Sequence, residues 1–175
     1  MSEKPRILIF TGDGKGKTTA ALGMAFRASG HGMNTCMVQF IKGDASVGEV
    51  AAAAANPHIE IHQVGLGFFP PADDPRFARH RKAAQDGLVK AAELIASRRF
   101  ELVILDEICP AVAHGLIEER QVAELLAQTP PEMCLVLTGR GATPGLIVLA
   151  DTVTEMLAIK HGLAEGRTAQ KGVER

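Results

Sequence analysis

The sequence has almost no net charge: 19 Lys and Arg stand against 20 Asp and Glu, a formal balance of -1. This excludes the bulk electrostatic footprint of a nucleic-acid or anionic-membrane binder, so no nucleic acid and no membrane is expected as a partner. Cysteine is scarce. Cys36, Cys109 and Cys134 lie far apart, are odd in number and sit in or beside apolar runs. No pair has metal-ligand spacing, so they read as buried, reduced thiols of a cytoplasmic protein. No apolar run approaches the roughly 20 residues that cross a bilayer. Only four apolar residues, Ile7 to Phe10, follow the polar start Met1-Ser2-Glu3-Lys4-Pro5-Arg6, too few for a signal-peptide core.

Two kinds of catalytic machinery are also missing. His58 and His62 are four apart, but Pro57 and a strand-like alternation keep them off one helical face, so no helical zinc pattern forms. No Ser or Cys stands in an elbow-type turn that would expose it as a nucleophile. At 175 residues the chain is long enough for one domain with a full core, residues 1–175, and shows no repeat or linker.

What is present begins at Thr11-Gly12-Asp13-Gly14-Lys15-Gly16-Lys17-Thr18-Thr19, directly after the apolar run Ile7-Leu8-Ile9-Phe10. A buried strand breaking into a glycine-rich turn that ends Gly-Lys-Thr, followed by small helix-forming residues, is the context of a phosphate-binding loop. The glycines let backbone N–H groups close on an anion, and the following helix aims its positive end at the same point. Lys17 is placed to reach terminal phosphates and the Thr18 hydroxyl to hold Mg²⁺. The strict pattern has glycine where Thr11 stands, with Gly12 one place later.

The rest of the chain alternates. Helices are expected over Thr18 to Ser29, Val47 to Ala55, Asp74 to about Arg98-Arg99, Glu118 to Gln128 and Pro144 to Ala150. Strands are expected over Thr35 to Ile41, Ile59 to Val64, Leu102 to Leu105, Cys134 to Leu137 and Thr152 to Leu157. Nearly all-apolar strands between helices imply an α/β fold: a three-layer, phosphate-loop NTPase-like architecture on a mostly parallel, doubly wound sheet. Gly65-Leu66-Gly67-Phe68-Phe69-Pro70-Pro71-Ala72 is a loop by its glycines and prolines, yet carries two phenylalanines. These are either a lid over a ligand or partner, or side chains tucked into the core. The polar tail from Gly162 to Arg175 is either a loose terminus or a flap that orders on binding.

Asp106, after the strand Leu102-Val103-Ile104-Leu105, has the place of the second carboxylate that supports Mg²⁺ opposite the loop threonine. Glu107 beside it could bind a metal-bound water or a ribose hydroxyl, or activate a water. These residues leave ATPase, kinase, nucleotide switch and other uses of ATP open.

Taken together, the loop from Thr11 to Ala21, Val38-Gln39-Phe40-Ile41-Lys42-Gly43, Leu105-Asp106-Glu107, Thr138-Gly139-Arg140-Gly141, Ala150-Asp151-Thr152-Val153-Thr154-Glu155-Met156 and Lys160-His161 closely resemble the phosphate-loop family of ATP:cob(I)alamin (corrinoid) adenosyltransferases. The resemblance implies transfer of the 5′-deoxyadenosyl group of ATP to a cobalt(I) corrinoid, cobalamin or a precursor, with release of triphosphate. It implies Mg²⁺ or Mn²⁺ as the metal, a homodimer, an electron-donating reductase as a partner, and ATP lying reversed in the loop so that its ribose faces the corrinoid. It assigns the nucleotide to Gly12, Asp13, Gly14, Lys15, Gly16, Lys17, Thr18, Thr19 and Arg27, catalytic roles to Lys17 and Glu107, and the metal to Thr18 and Asp106. Phe68 and Phe69 match the aromatic loop that packs on the corrinoid face. Relatives often carry a tryptophan there, where this chain has Phe69-Pro70-Pro71 and no tryptophan anywhere. Enteric members also carry an N-terminal arm that reaches over the corrinoid.

Overall fold

The apolar runs become strands covered on both faces. The computed structural model describes residues 4–173, with Leu163 and Ala164 in backbone only. In chain order its elements are β1 (Arg6–Thr11), α1 (Lys17–Ser29), β2 (Thr35–Gln39), α2 (Gly48–Ala54), β3 (Ile59–Gln63), α3 (Phe77–Ala96), β4 (Leu102–Asp106), α4 (Ile108–Ala113), α5 (Glu119–Ala127), β5 (Cys134–Thr138), α6 (Pro144–Leu149) and β6 (Thr152–Glu155), then a 3₁₀ turn at Gly162–Glu165. All strand pairings are parallel, in the order β3-β2-β4-β5-β1-β6. Every residue of β2 and β4 is buried, as a central parallel strand requires. The fold is thus the three-layer α/β sheet expected of a phosphate-loop protein.

Alternation along the strands sorts the core into two layers. Met37, Leu102, Ile104 and Val136 face α1, which approaches closely because Ala21, Ala25 and Ala28 line its inner stripe. Val38, Val103, Leu105, Leu135 and Leu137 face the other way, against Ala84, Leu88, Ala91, Leu94 and Ile95 of α3 and the buried residues of α4 and α5. Gly87 lets α3 settle onto this layer: a Cβ there would stand 2.5 Å from Val64 Cγ2 and 3.3 Å from Phe40 Cε1. No helix among the described residues is long and apolar enough to cross a membrane.

Some boundaries differ from expectation. β2 ends at Gln39 and β6 at Glu155, two residues short in each case, because the chain must turn where the strands' carboxyl ends meet the loops. α3 starts at Phe77 instead of Asp74. The Asp74 carboxylate instead accepts from the Arg76 backbone N–H at 2.8 Å and from its guanidinium, which holds the Asp74 carboxyl down at about 2. α4 has no counterpart among the expected elements: Pro110 reads as a breaker, but in the first turn of a helix its missing N–H costs nothing.

The tail folds back. Lys15 Nζ donates to the Val173 carbonyl at 2.8 Å, and Lys160 pairs with Glu165 at 2.8 Å. Where the sequence leaves a loose tail or a flap open over residues 162–175, the chain runs exposed from Glu165 to Val173 with these contacts; residues 174 and 175 lie outside the described residues.

Candidate functional site

The carboxyl ends of β1, β2, β4 and β5 open on one edge of the sheet, where α/β proteins place their ligands. The glycine loop joins β1 to α1, with Gly12 at φ 92° and Gly16 at φ 118°, conformations that a side chain opposes. Its back is closed by the chain after β6. The Gly14 N–H donates to Met156 O at 2.7 Å, and a Cβ on Gly14 would stand 2.7 Å from the carbonyl oxygens of both Met156 and Leu157.

Lys17 lies inside this loop, 8% exposed, and its Nζ donates to the carbonyls of Gly12 and Gly14, each at 2.7 Å. Burial lowers its pKa; Glu107, Asp13 and Asp106 oppose that shift, and Arg140 adds to it. Thr18, at the head of α1, donates from its hydroxyl to Asp106 Oδ1 at 2.8 Å.

Asp106 is fully buried and its oxygens are taken up. Oδ1 also accepts from the Thr138 hydroxyl at 2.7 Å, and Oδ2 from Gln39 Nε2 at 3.3 Å, with Lys42 Nζ 4.0 Å away. Lys42 is fixed by Glu49 at 2.6 Å; burial pushes the Glu49 carboxyl up, but the Lys42 hydrogen bond and charge outweigh it and bring it below its ordinary value. Glu107 caps α4 in a left-handed conformation, φ 62°, unusual for a residue with a side chain, and its N–H donates to Thr138 Oγ1 at 2.9 Å. Burial, then the charge of Asp106, raises the Glu107 pKa.

The fold therefore brings Lys17, Thr18, Asp106 and Glu107 together, with Gly12, Gly14 and Gly16 around them. Asp13, Lys15 and Thr19 are exposed on the loop and first turn. Arg27 stands apart, exposed in the last turn of α1, about 15 Å along the helix from Lys17 at 1.5 Å per residue. The two phenylalanines divide between the readings left open: Phe68 is 94% exposed, whereas Phe69 packs against the main core and the His114 ring.

Four site residues carried no role in the sequence reading: Gln39, Lys42, Thr138 and Arg140. Arg140 Nε stands 3.6 Å from Asp13 Oδ1, and its charge reaches both Lys17 and Glu107. The signal that could have found them is position, since all four lie at or just beyond the carboxyl end of a buried strand.

Mg²⁺ is the metal such a loop implies. The donor chemistry fits a hard cation, a threonine hydroxyl beside a carboxylate, but no group of three or more His, Cys, Asp or Glu among the described residues could hold an ion by itself. Nucleotide phosphates and water must complete the shell, as is usual for Mg²⁺.

Comparison with known proteins agrees with this geometry. A corrinoid adenosyltransferase of Pseudomonas aeruginosa is 44% identical over 174 residues, 98% of this chain and 84% of the relative. One of Escherichia coli K12 is 36% identical over 173 residues, 98% of this chain and 86% of the relative. Among solved structures, the flagellar accessory protein FlaH of Methanocaldococcus jannaschii superposes with a TM-score of 0.59 at 12% identity, covering 89% of this chain and 72% of that one, a likeness of fold alone. The model of the family described as ATP:corrinoid adenosyltransferase BtuR/CobO/CobP matches residues 3–175, and the chain belongs to that family.

Proposed function

We propose that this protein transfers the 5′-deoxyadenosyl group of ATP to the cobalt of a reduced corrinoid. The observation that carries the reading is the meeting of Lys17, Thr18 and Asp106 in one phosphate-loop site, in a chain matched by the family over residues 3–175. Cobalt(I) gives an electron pair to C5′, the cobalt–carbon bond forms, and the C5′–O bond breaks with its electrons leaving on triphosphate. Cobalt passes formally from +1 to +3, and no proton moves. This chemistry needs no protein nucleophile or general base, in keeping with the sequence; the protein's work is orientation and charge stabilisation.

Loop N–H groups between Gly12 and Thr18, apart from that of Gly14, which is bonded to Met156 O, cradle the triphosphate with Asp13, Lys15 and Thr19 around them. Lys17, drawn off the carbonyls of Gly12 and Gly14, neutralises charge on the leaving group. Thr18 and Asp106 would hold Mg²⁺ or Mn²⁺, which screens triphosphate charge when bound. Glu107 lines the nucleotide at the end that meets the ribose, whereas Arg27 stands too far along α1 from the loop to touch the triphosphate. Phe68 packs against the corrinoid and helps displace its lower axial ligand, while Phe69 supports the loop from the core side.

The chain works as a single unit over residues 1–175 in the cytoplasm, where reduced thiols such as its three cysteines persist and a reductase supplies cobalt(I). Assembly as a homodimer is supported by β6, an edge strand exposed at all four residues with Leu157 and Ile159 also exposed beside it.

The test is an anaerobic assay with ATP, Mg²⁺ and chemically reduced cob(I)alamin. Alkylated cobalt with intact triphosphate is the expected result. ADP or phosphate without a cobalt–carbon bond would make the protein an ATPase or kinase instead.

A further inference from the structure

Phe69 and His114 meet with ring centroids 5.0 Å apart and planes inclined at 57°. They come from different parts of the chain: Phe69 lies between β3 and α3, and His114 caps the carboxyl end of α4. The other cap of α4 is Glu107, and residues Ile108 to Val112 between them are all buried. One rigid turn-and-a-half of helix thus runs from the nucleotide carboxylate to the aromatic loop, about 10 Å at 1.5 Å per residue.

The loop is pinned elsewhere as well. At its stem the Gly65 N–H donates to Gln39 O at 3.2 Å and the Gly67 N–H to Ile41 O at 2.8 Å. A Cβ on Gly65 would stand 2.2 Å from the Ile41 backbone, so the stem lies flush against the exit of β2. With the stem bonded and Phe69 held by His114 and the core, the side chain left to project is Phe68, 94% exposed. A fully presented aromatic on a fixed loop is a surface kept for an apolar ligand.

We propose that His114 is a positioning residue for the corrinoid: by bracing Phe69 it fixes the direction in which Phe68 leaves the loop, one short helix away from Glu107. This rests on the reading of the site as one for ATP and a corrinoid. His114 touches neither reacting atom; it sets the distance between the two substrates' supports.

The test compares wild type, His114→Ala and His114→Phe in the anaerobic assay, varying cob(I)alamin and ATP separately, with thermal midpoints recorded. Loss of a tilted ring pair is worth about 3- to 10-fold, so His114→Ala should raise the KM for the corrinoid by that factor. Its KM for ATP and its kcat at saturating corrinoid should stay within about twofold, and His114→Phe, which keeps a ring, should restore the corrinoid KM. An unchanged corrinoid KM in His114→Ala, a parallel rise in the ATP KM, or a Phe variant as poor as the Ala variant would each overturn the proposal. If the wild type itself makes no alkylated cobalt, the functional reading fails and the proposal falls with it, an outcome distinct from an active enzyme indifferent to residue 114.

Discussion

The Thr18 hydroxyl donates to Asp106 Oδ1 at 2.8 Å across a sequence separation of 88 residues, fastening the phosphate loop to the end of β4. Thr138 and Gln39 converge on the same carboxylate, so Asp106, proposed above as a metal support, is also the knot that ties three strand ends together. Asp106→Ala leaves those donors facing a void. We expect a loss of about 3 kcal/mol in urea unfolding, the scale set by unsatisfied buried polar groups. Asp106→Asn should fold nearer to normally but need far more Mg²⁺ for half-maximal activity; an unaltered Mg²⁺ requirement would remove Asp106 from the metal.

Lys17→Ala addresses the leaving group. If the ammonium neutralises departing triphosphate, its loss costs about 2–4 kcal/mol of transition-state stabilisation, a fall of about 30- to 900-fold in kcat/KM. Because Lys17 also ties the carbonyls of Gly12 and Gly14, ATP affinity should be measured alongside by calorimetry. Turnover equal to wild type would sink the role.

The unequal burial of the two phenylalanines separates their mutants. Phe68→Ala should leave stability within about 0.5 kcal/mol, as for an exposed side chain. It should weaken reaction with a cobalt(II) corrinoid under a mild reductant more than with cobalt(I) prepared in advance, and equal losses would refute a part in axial-ligand displacement. Phe69→Ala removes a ring packed on the core and should cost about 1–3 kcal/mol in the same unfolding measurement.

Gly14→Ala probes the back wall of the loop. The new methyl would meet carbonyl oxygens of Met156 and Leu157 at 2.7 Å, and neither is the end of a flexible side chain. The loop must shift, with an expected cost of about 1–3 kcal/mol in stability and a weaker hold on ATP, read by thermal unfolding with and without the nucleotide. Gly23→Ala, on the open face of α1 with no atom within 4 Å, is the control and should be neutral or mildly stabilising.

Alkaline pH should destabilise the fold through its cysteines. Burial holds the thiols of Cys36 and Cys109 up at about 12, while in the unfolded chain they ionise near 8.5. Between those values the native state binds more protons than the unfolded one, so stability falls as pH rises through roughly 9 to 12 and is untouched below 8. Cys→Ala at either position should flatten the alkaline limb of a midpoint-versus-pH curve; a limb of the same slope in both variants would assign the loss elsewhere.

The layered sheet and the loop were legible because each rests on local pattern: unbroken apolar strands, a glycine-rich turn and a carboxylate after β4 all announce themselves within a few residues. Elements that depend on distant neighbours were less legible. α4 hides behind Pro110, and its place is decided by the pocket that buries Ile108 to Val112. Asp74 looks like a helix cap, yet Arg76, two residues on, claims its carboxylate and delays α3. Lys42, Thr138 and Arg140 became visible as site residues only when the sheet set three strand ends beside the loop. The division between Phe68 and Phe69 could not be read at all from two identical adjacent letters, since it depends on the core residues and the His114 ring that Phe69 meets.

β1 lies between β5 and β6, in register with both: Leu8 stands beside Val136 on one side and Thr152 on the other. Of the six strands, the first in chain order is therefore the one whose two partners come last. Until β5 and β6 have been made, the phosphate loop hangs from an unpaired ribbon, without its wall at Met156 and without the Asp106 knot fully backed by Thr138. ATP can thus have no site on the nascent chain until residues beyond Met156 have emerged, and pairings this remote in sequence make for slow folding. Nucleotide binding is in this sense acquired in one late step, when β5 and β6 close on either side of β1.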